Sequence, residues 1–183
     1  MMSNFKYVKD SQVVITQLML PSHSNFSGKI HGGFILNLMD QIAFACASKH
    51  SGQYCVTASV NKVDFVNPIE VGELVTLKAS VNFTGRTSMV IGLRVDSENI
   101  RTGETKHCNS SYFTMVAKDE DGNSTPVPGL ILTSKAEIRR FARSIIRQQE
   151  SKNRTSRFDK NTFKIDDYLS YFEESNSKIE LNL

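Results

Sequence analysis

A single acidic residue follows a pair of glycines in a strongly apolar stretch, and these three residues are the first candidates for chemistry. Gly32 and Gly33 open the stretch, and Asp40 lies seven residues after Gly33. Two glycines at the start of a helix present backbone N–H groups that no side chain shields, and the helix dipole adds partial positive charge. Such a site can polarise a carbonyl group and stabilise an oxyanion. Asp40 can act as a general base on water or attack the carbonyl carbon directly.

Asn25 and His31, in the polar segment before the glycines, are the other candidates. Either side chain can hydrogen-bond a substrate or a water molecule near the helix start. Both have structural alternatives, because asparagine is common in Asx turns and a histidine can fix a loop through a backbone hydrogen bond. Asp40 has one too, as a carboxylate that caps another element or pairs with a Lys or Arg side chain. The cysteines lack metal-like spacing, so we predict no metal site.

The apolar stretch predicts a helix from Gly32 to about Lys49, with Gly52 as its left-handed C-cap. Apolar residues cover most of its circumference, so we expect a buried helix in which an ionised Asp40 is costly unless partnered. Asp40 lies two turns, or about 10 Å, from Gly33, which is too far for one carbonyl to contact both. Two such helices, antiparallel across a two-fold axis, would place each Asp40 beside the Gly33 of the other copy. The spacing therefore predicts two composite sites in a symmetric dimer.

Strand-like segments flank this helix in the sequence. Their alternating patterns and short glycine-containing turns are typical of antiparallel hairpins. The segments are Gln12–Leu20 before the helix, and Val56–Val66, Leu74–Phe83, Met89–Asp96 and Thr105–Ala117 after it. An apolar helix needs a sheet to cover it, so we predict an α+β fold in which a curved antiparallel sheet wraps one long helix over residues 10–118. Open sheet edges predict pairing with a second copy.

Composition and charge separate a domain from a tail. Apolar residues make up 39% of the 183 residues and charged residues 22%, as in ordinary globular proteins. We expect neither a signal peptide nor stable membrane insertion, because no apolar run approaches about 18 residues. Three cysteines are an odd number and predict reduced, packed thiols in the cytoplasm. Residues 1–130 hold 11 basic and 11 acidic residues, whereas the basic residues outnumber the acidic ones 10 to 3 between residues 135 and 164.

The expected domains are 1–130 and a tail over 131–183. A linker at Pro126–Leu130 leads to a basic helix over Ala136–Gln149, apolar at Ile138, Phe141, Ala142, Ile145 and Ile146. Residues 150–162 are predicted to be flexible, and Ile165–Phe172 a short helix. The basic helix can be a solvated amphipathic helix packed on the sheet, or it can bind an anionic ligand or membrane. Nucleic acid is the least favoured partner, because few aromatic residues interleave the basic ones.

The sequence resembles the hotdog-fold acyl-CoA thioesterases, in particular the cytosolic type typified by brain acyl-CoA hydrolase and its small single-domain bacterial relatives. The similarity spans about residues 10–130. It is carried by Asn25, Gly28–Leu36, Met39, Asp40, Val60–Pro68 and Gly85–Ser88. The resemblance implies hydrolysis of fatty acyl-CoA to acid and CoA, in dimers that often assemble into hexamers as trimers of dimers. It implies no cofactor, since CoA is part of the substrate.

The resemblance also implies residue roles. Asp40 would be the catalytic carboxylate, with Asn25 acting from the partner subunit and the backbone at Gly33 polarising the thioester. His31 is placed with them as a catalytic candidate. CoA contacts are assigned to Gly32 and to the hairpin residues Arg86, Thr87 and Ser88, and the basic tail helix can supply cations for the nucleotide end of CoA.

Two other functions remain open at this point. A non-catalytic hotdog sensor would bind acyl-CoA without turnover and would tolerate loss of Asp40. A hotdog dehydratase acting on a hydroxyacyl thioester would use a histidine such as His31 with an acid at the first helix positions. No acid follows Gly32 there.

Overall fold

Six strands form one antiparallel sheet. In the computed structural model, which describes residues 5–157, 164 and 166, the strand order is β2-β5-β6-β7-β3, and β4 also pairs with β7. The elements are β1 (Phe5–Tyr7), α1 (Val8–Ser11), β2 (Val13–Leu18), α2 (Gly32–Ser51), β3 (Tyr54–Val60), β4 (Asp64–Phe65), β5 (Leu74–Thr84), β6 (Ser88–Glu98), β7 (Thr105–Lys118), β8 (Gly129–Ile131) and α3 (Lys135–Arg157). The predicted α+β architecture, a curled sheet around a long helix, is confirmed.

Register shifts bend this sheet. They occur between Thr57 and Ser59, between Val81 and Phe83, and between Val95 and Asp96. A bulge increases the local twist of a strand, which lets long antiparallel strands curl around a helix. The second bulge also corrects the predicted alternation, because Asn82 is buried while Phe83 is only half-buried.

The strand predicted over Val56–Val66 is two strands in the structure. β3 ends at Val60 and β4 begins at Asp64, and the three residues between them belong to neither strand. Ser111 of β7 donates its hydroxyl to the carbonyls of Asn61 and Lys62 in this gap. A run of β-branched residues therefore predicted strand propensity but not the interruption.

The core lies between α2 and the concave face of the sheet. Its fully buried members include Met39, Ile42, Leu77, Ile91 and Met115. The predicted C-cap is confirmed, since Gly52 has φ 73° and its N–H donates to the Ser48 carbonyl at 2.8 Å. Cys46, Cys55 and Cys108 are free and buried, as expected, and burial raises the pKa of the Cys46 thiol to about 12.

The expectation of a buried helix holds for only one side of α2 in the single chain. One stripe of the helix is exposed, at the i, i+4 and i+7 spacing of a single face: Gly33, Asn37, Asp40, Gln41 and Phe44. Asp40 is therefore exposed, not buried. The sheet covers only one side of α2, and composition alone could not distinguish a side that faces a sheet from one left open for another surface.

The first described residues, from Phe5 onward, fold back onto the end of α2. β1 pairs in parallel with β8, and Phe5 lies against Gly129, where an added Cβ would come within 2.5 Å of the Phe5 ring. His50, fully buried, joins these parts. Its Nε2 lies 3.0 Å from the Pro128 carbonyl and its Nδ1 3.2 Å from the Ser11 hydroxyl. Neither β1 nor α1 was expected from the sequence.

The chain divides by internal contacts into two units, with the boundary between Ser144 and Ile145. The helix predicted over Ala136–Gln149 is present but longer, because α3 runs from Lys135 to Arg157. The segment predicted to be flexible, residues 150–162, is helical up to Arg157, and its remaining residues lie outside the described part. Ser134 and Glu137 form a capping box at its start. Of the short helix expected at Ile165–Phe172, only residue 166 belongs to the described part.

Candidate active site

His31 caps the N-terminus of α2. Its Nδ1 accepts a hydrogen bond from the Gly33 N–H at 2.9 Å, and its carbonyl accepts from Phe34 N–H. The backbone donor assigned to carbonyl polarisation is thus occupied by an imidazole in this structure. A Cβ on Gly33 would lie 2.9 Å from the same imidazole, so the glycine leaves room for that side chain. In this structure His31 therefore has the structural role considered above, in which its side chain fixes the backbone through a hydrogen bond.

Gly32 lies beneath an aromatic ring. A Cβ at this position would come within 3.2 Å of Phe65 Cζ, and Phe65 itself is half exposed at 51%. Phe65 pairs with Asn109 of β7, whose side chain is fully buried. Neither amide atom of Asn109 has a hydrogen-bond partner within the described residues. A buried amide in this state is normally satisfied by water or by a ligand.

Asn25 organises the loop before α2. Its Oδ1 accepts from the Ser27 N–H at 3.0 Å, the Ser27 hydroxyl at 2.8 Å and the Lys29 N–H at 3.2 Å. The Asx-turn alternative is therefore realised for the oxygen, and the exposed side chain still has its NH2 group to present outward. Next to it, Phe26 is fully exposed.

Asp40 is held by a residue that the sequence did not single out. The Thr57 hydroxyl donates to Asp40 Oδ1 at 2.6 Å, across from α2 to β3. The same hydroxyl also lies 3.4 Å from Met115 Sδ, but it carries a single proton and the carboxylate is the stronger and nearer acceptor. Threonine is an ordinary strand residue, so only tertiary pairing could have indicated Thr57.

The hairpin residues Arg86, Thr87 and Ser88 lie near Asp40 in sheet register and far from Gly32. Ser88 pairs with Val116 of β7, next to Met115, which pairs with Thr57. Gly32 instead lies by Phe65, whose partner is Asn109, seven residues away along β7. At the usual rise of a strand this is roughly 23 Å. One chain therefore does not bring all the predicted residues together.

The described residues hold neither a metal-binding cluster nor a membrane-spanning helix. They contain no cluster of three or more His, Cys, Asp or Glu side chains arranged to hold a metal ion. None of the helices in that part of the chain is long and apolar enough to cross a bilayer.

Comparison with known proteins places this geometry in a family. The thioesterase superfamily matches residues 27–104. Protein VdlD of Helicobacter pylori is 41% identical over 139 residues, covering 76% of this chain and 79% of that protein. The uncharacterized acyl-CoA thioester hydrolase YkhA of Bacillus subtilis is 34% identical, covering 81% of this chain and 87% of its own.

Solved structures agree. An apo-hexameric acyl-CoA thioesterase superimposes with a TM-score of 0.81 and 38% identity, covering 82% of this chain and 97% of that one. The chain belongs to the thioesterase superfamily, and within it to the hotdog-fold acyl-CoA thioester hydrolases. It is a thioester hydrolase by fold and family.

An acyl-CoA hydrolase from Staphylococcus aureus provides a comparison for Asp40 and Thr57. Alanine variants of one aspartate and one threonine of that protein superimpose with TM-scores of 0.72 and 0.69, at 27% and 26% identity, each covering 84% of this chain and 99% of that one. The replaced residues are 17 positions apart. Asp40 and Thr57 have the same separation.

Proposed function

We propose that this chain hydrolyses acyl-CoA thioesters at a composite site, with Asp40 as the catalytic carboxylate and Thr57 as the residue that orients it. The observation that carries the proposal is the 2.6 Å hydrogen bond from Thr57 to an exposed Asp40 in a chain of this family. A hydroxyl that donates to one carboxylate oxygen fixes the rotamer of the acid and leaves the other oxygen for the substrate side. The matching spacing in the Staphylococcus aureus hydrolase supports the same pair.

The proposed site needs two protomers. Asp40 and Gly33 of one helix are separated by two turns, or about 10 Å, so a thioester held by one cannot reach the other. We propose that one protomer contributes Asp40 and Thr57, and that its twin contributes Asn25, His31 and Gly33.

Three features of the single chain support this assembly. The exposed stripe of α2 includes Phe44, and Phe26 is an apolar side chain fully exposed at a loop tip. β3 is an edge strand, and no strand within residues 5–157 pairs with its outer side. Apolar side chains and open edges of this kind mark surfaces that another chain covers. A hexameric relative supports a hexamer as the larger assembly, which we propose is a trimer of such dimers.

In the proposed reaction Asp40 removes a proton from a water molecule, whose oxygen attacks the thioester carbonyl carbon. The alternative is direct attack by Asp40 to give an anhydride that water then opens. In both, the carbonyl oxygen takes the place of His31 Nδ1 on the Gly33 N–H, and CoA leaves as a thiolate that is then protonated. Single-turnover hydrolysis in oxygen-18 water separates them, since early label in the enzyme carboxylate supports direct attack.

We extend the proposal to the remaining parts of the chain. Residues 1–130 would be the thioesterase domain and 131–183 a tail. Gly32, Arg86, Thr87 and Ser88 would contact CoA, with no cofactor beyond the substrate, in the cytoplasm. Because Arg86 lies at the Asp40 end of the sheet, the three hairpin residues would come from the protomer that supplies Asp40. Gly32 would come from its twin.

A thiol-release assay on acetyl-, butyryl-, hexanoyl- and palmitoyl-CoA tests the proposal. Asp40→Asn should lower kcat at least about a hundredfold on every substrate that the wild-type chain hydrolyses. Wild-type turnover by this variant would reject the assignment. Binding without turnover by the unmodified chain would instead support the sensor function. The dehydratase is disfavoured because the first turn of α2 holds no acid.

A further inference from the structure

A basic cleft lies on the face of the sheet that is turned away from α2. Its volume is about 390 Å3, within the range of small-molecule sites. Leu77 and Ala79 of β5 belong to the core beside α2, so Lys78 and Ser80 between and after them project to the opposite face. Five cationic side chains line the cleft: Lys78 and Arg94 from the sheet, and Arg139, Arg140 and Arg143 from α3.

The first half of α3 is fixed in place over the sheet. The Phe141 ring packs on the Phe83 ring with centroids 5.2 Å apart, and Ser144 is fully buried. The capping box of Ser134 and Glu137 secures the start of the helix. Arg139, Arg140 and Arg143 therefore project from a rigid element.

The positive charge of the cleft is largely uncompensated. Lys78 and Arg94 share one carboxylate, that of Asp96, at 3.6 Å and 2.9 Å. Burial opposes ionisation of Asp96, but hydrogen bonds from Arg94 and His107 hold its pKa below the usual range. Among the side chains that the structure describes, no ion pair involves the three arginines of α3. Convergent arginines without an acidic partner suit phosphate, which they bind bidentately.

Hydroxyl groups complete the lining of the cleft. Ser80 and Ser110 contribute side chains, and Ser110 Oγ lies 3.2 Å from His107 Nε2, while His107 Nδ1 lies 3.1 Å from Asp96. This Asp–His–Ser order resembles a hydrolase triad. However, Ser110 pairs with Arg94 on one side and Asp64 on the other, so the sheet uses the backbone N–H groups that an oxyanion hole would need. The contact with His107 holds the Ser110 hydroxyl in place at the wall of the cleft.

We propose that this cleft binds a phosphate-bearing ligand of nucleotide size, at a site separate from the thioester site of the same protomer. The ligand chemistry is that of a polyphosphate or bisphosphate, supplied by a free nucleotide or by the nucleotide end of CoA. The sheet lies between this cleft and α2, so a ligand here cannot reach Asp40 of the same chain. Ligand binding in this cleft would follow from its positive charges and is independent of the proposed catalytic roles.

Calorimetric titration of the full chain at fixed salt tests the proposal, with ATP, adenosine 3′,5′-bisphosphate and inorganic pyrophosphate as probes. The variant Arg139→Gln/Arg140→Gln/Arg143→Gln should weaken binding of the preferred probe by at least about thirtyfold, since each lost contact is charge-assisted. The matched control Lys9→Gln/Arg101→Gln/Lys118→Gln removes the same charge elsewhere on the surface and should change binding less than about twofold.

Two results would overturn the proposal. One is the absence of saturable binding of any probe by the wild-type chain up to about 10 mM. The other is equal weakening in the cleft variant and the control, which would indicate general charge attraction. If the triple variant fails to fold, Lys78→Gln and the charge-preserving Arg→Lys triple apply the same test. Lys78→Gln should weaken binding, and the lysine triple should retain more affinity than the glutamine triple.

The probes also distinguish the two ligand sources. Preference for the bisphosphate, with a raised KM for acyl-CoA and unchanged kcat in the cleft variant, identifies the nucleotide end of CoA. Preference for ATP or pyrophosphate, with KM unchanged, identifies a free nucleotide. Asp40→Asn should leave probe binding intact, so loss of hydrolysis in that variant and loss of binding in the cleft variant are independent readouts.

Discussion

Replacing Thr57 with valine removes one hydrogen bond and little else. Valine has the shape of threonine and favours strands, and Thr57 is exposed on the edge strand β3, so the fold should be retained and any loss of stability should come from this one hydrogen bond. The lost interaction is the 2.6 Å bond from a hydroxyl to the Asp40 carboxylate. A hydrogen bond to a charged group contributes about 1.5–3 kcal/mol, and exposure to water favours the lower end of that range. Because about 1.4 kcal/mol corresponds to tenfold, kcat should fall roughly tenfold to thirtyfold.

The assay is steady-state thiol release on the best acyl-CoA substrate, with kcat and KM measured separately. KM should change little, because Thr57 is assigned to orienting the acid and not to binding the substrate. Thr57→Ser keeps the hydroxyl and should retain most of the activity. Thr16→Val is a matched control, since it removes a 3.1 Å hydroxyl contact with Thr76 on the exposed side of the sheet. Wild-type kcat in Thr57→Val, or equal losses in the valine and serine variants, would refute the orienting role.

Other perturbations test the helix start, the acid and the buried histidine. Asp40→Asn should change the free energy of unfolding by less than about 0.5 kcal/mol, because the exposed acid is not desolvated in the single chain, and a larger gain on denaturant unfolding would indicate burial after all. His31→Ala should lower stability by about 1 kcal/mol through loss of the N-cap at Gly33 N–H, and unchanged urea midpoints would contradict that cap. Gly33→Val should displace the His31 imidazole and block the N–H, so kcat/KM should drop about tenfold or more, while unaffected hydrolysis would remove Gly33 from the site. Burial lowers the pKa of His50 below its usual value, so the unfolded chain binds a proton that the folded chain does not. Stability should therefore be complete above about pH 6.5 and fall with decreasing pH, and pH-dependent unfolding of His50→Gln should lack this component.

The order of elements was readable because local patterns encode it. The alternation of Val75, Leu77, Ala79 and Val81 predicted a strand with one buried face, and each of these residues is buried. Gly52 predicted the end of α2 through the left-handed conformation that glycine adopts most easily. In both cases the signal lies within a few residues of the structure that it specifies.

Expectations failed where a distant contact decides the outcome. β3 and β4 separate where the Ser111 hydroxyl of β7 hydrogen-bonds the carbonyls of Asn61 and Lys62, the residues between the two strands. The exposed side of α2 carries one large apolar side chain, Phe44, beside the polar Asn37, Asp40 and Gln41. A hydrophobic residue in a sequence does not state whether its own sheet or another surface will cover it.

The candidate site likewise has features that are local in the sequence and features that depend on distant contacts. The sequence alone determined a glycine pair at a helix start and a lone acid two turns later, because residue type and helical period are local properties. Only the tertiary structure paired Asp40 with Thr57 and gathered five cations from two strands and a helix into one cleft. These contacts join residues from different elements, and the curvature and register of the sheet, which no single segment encodes, set the distances between them.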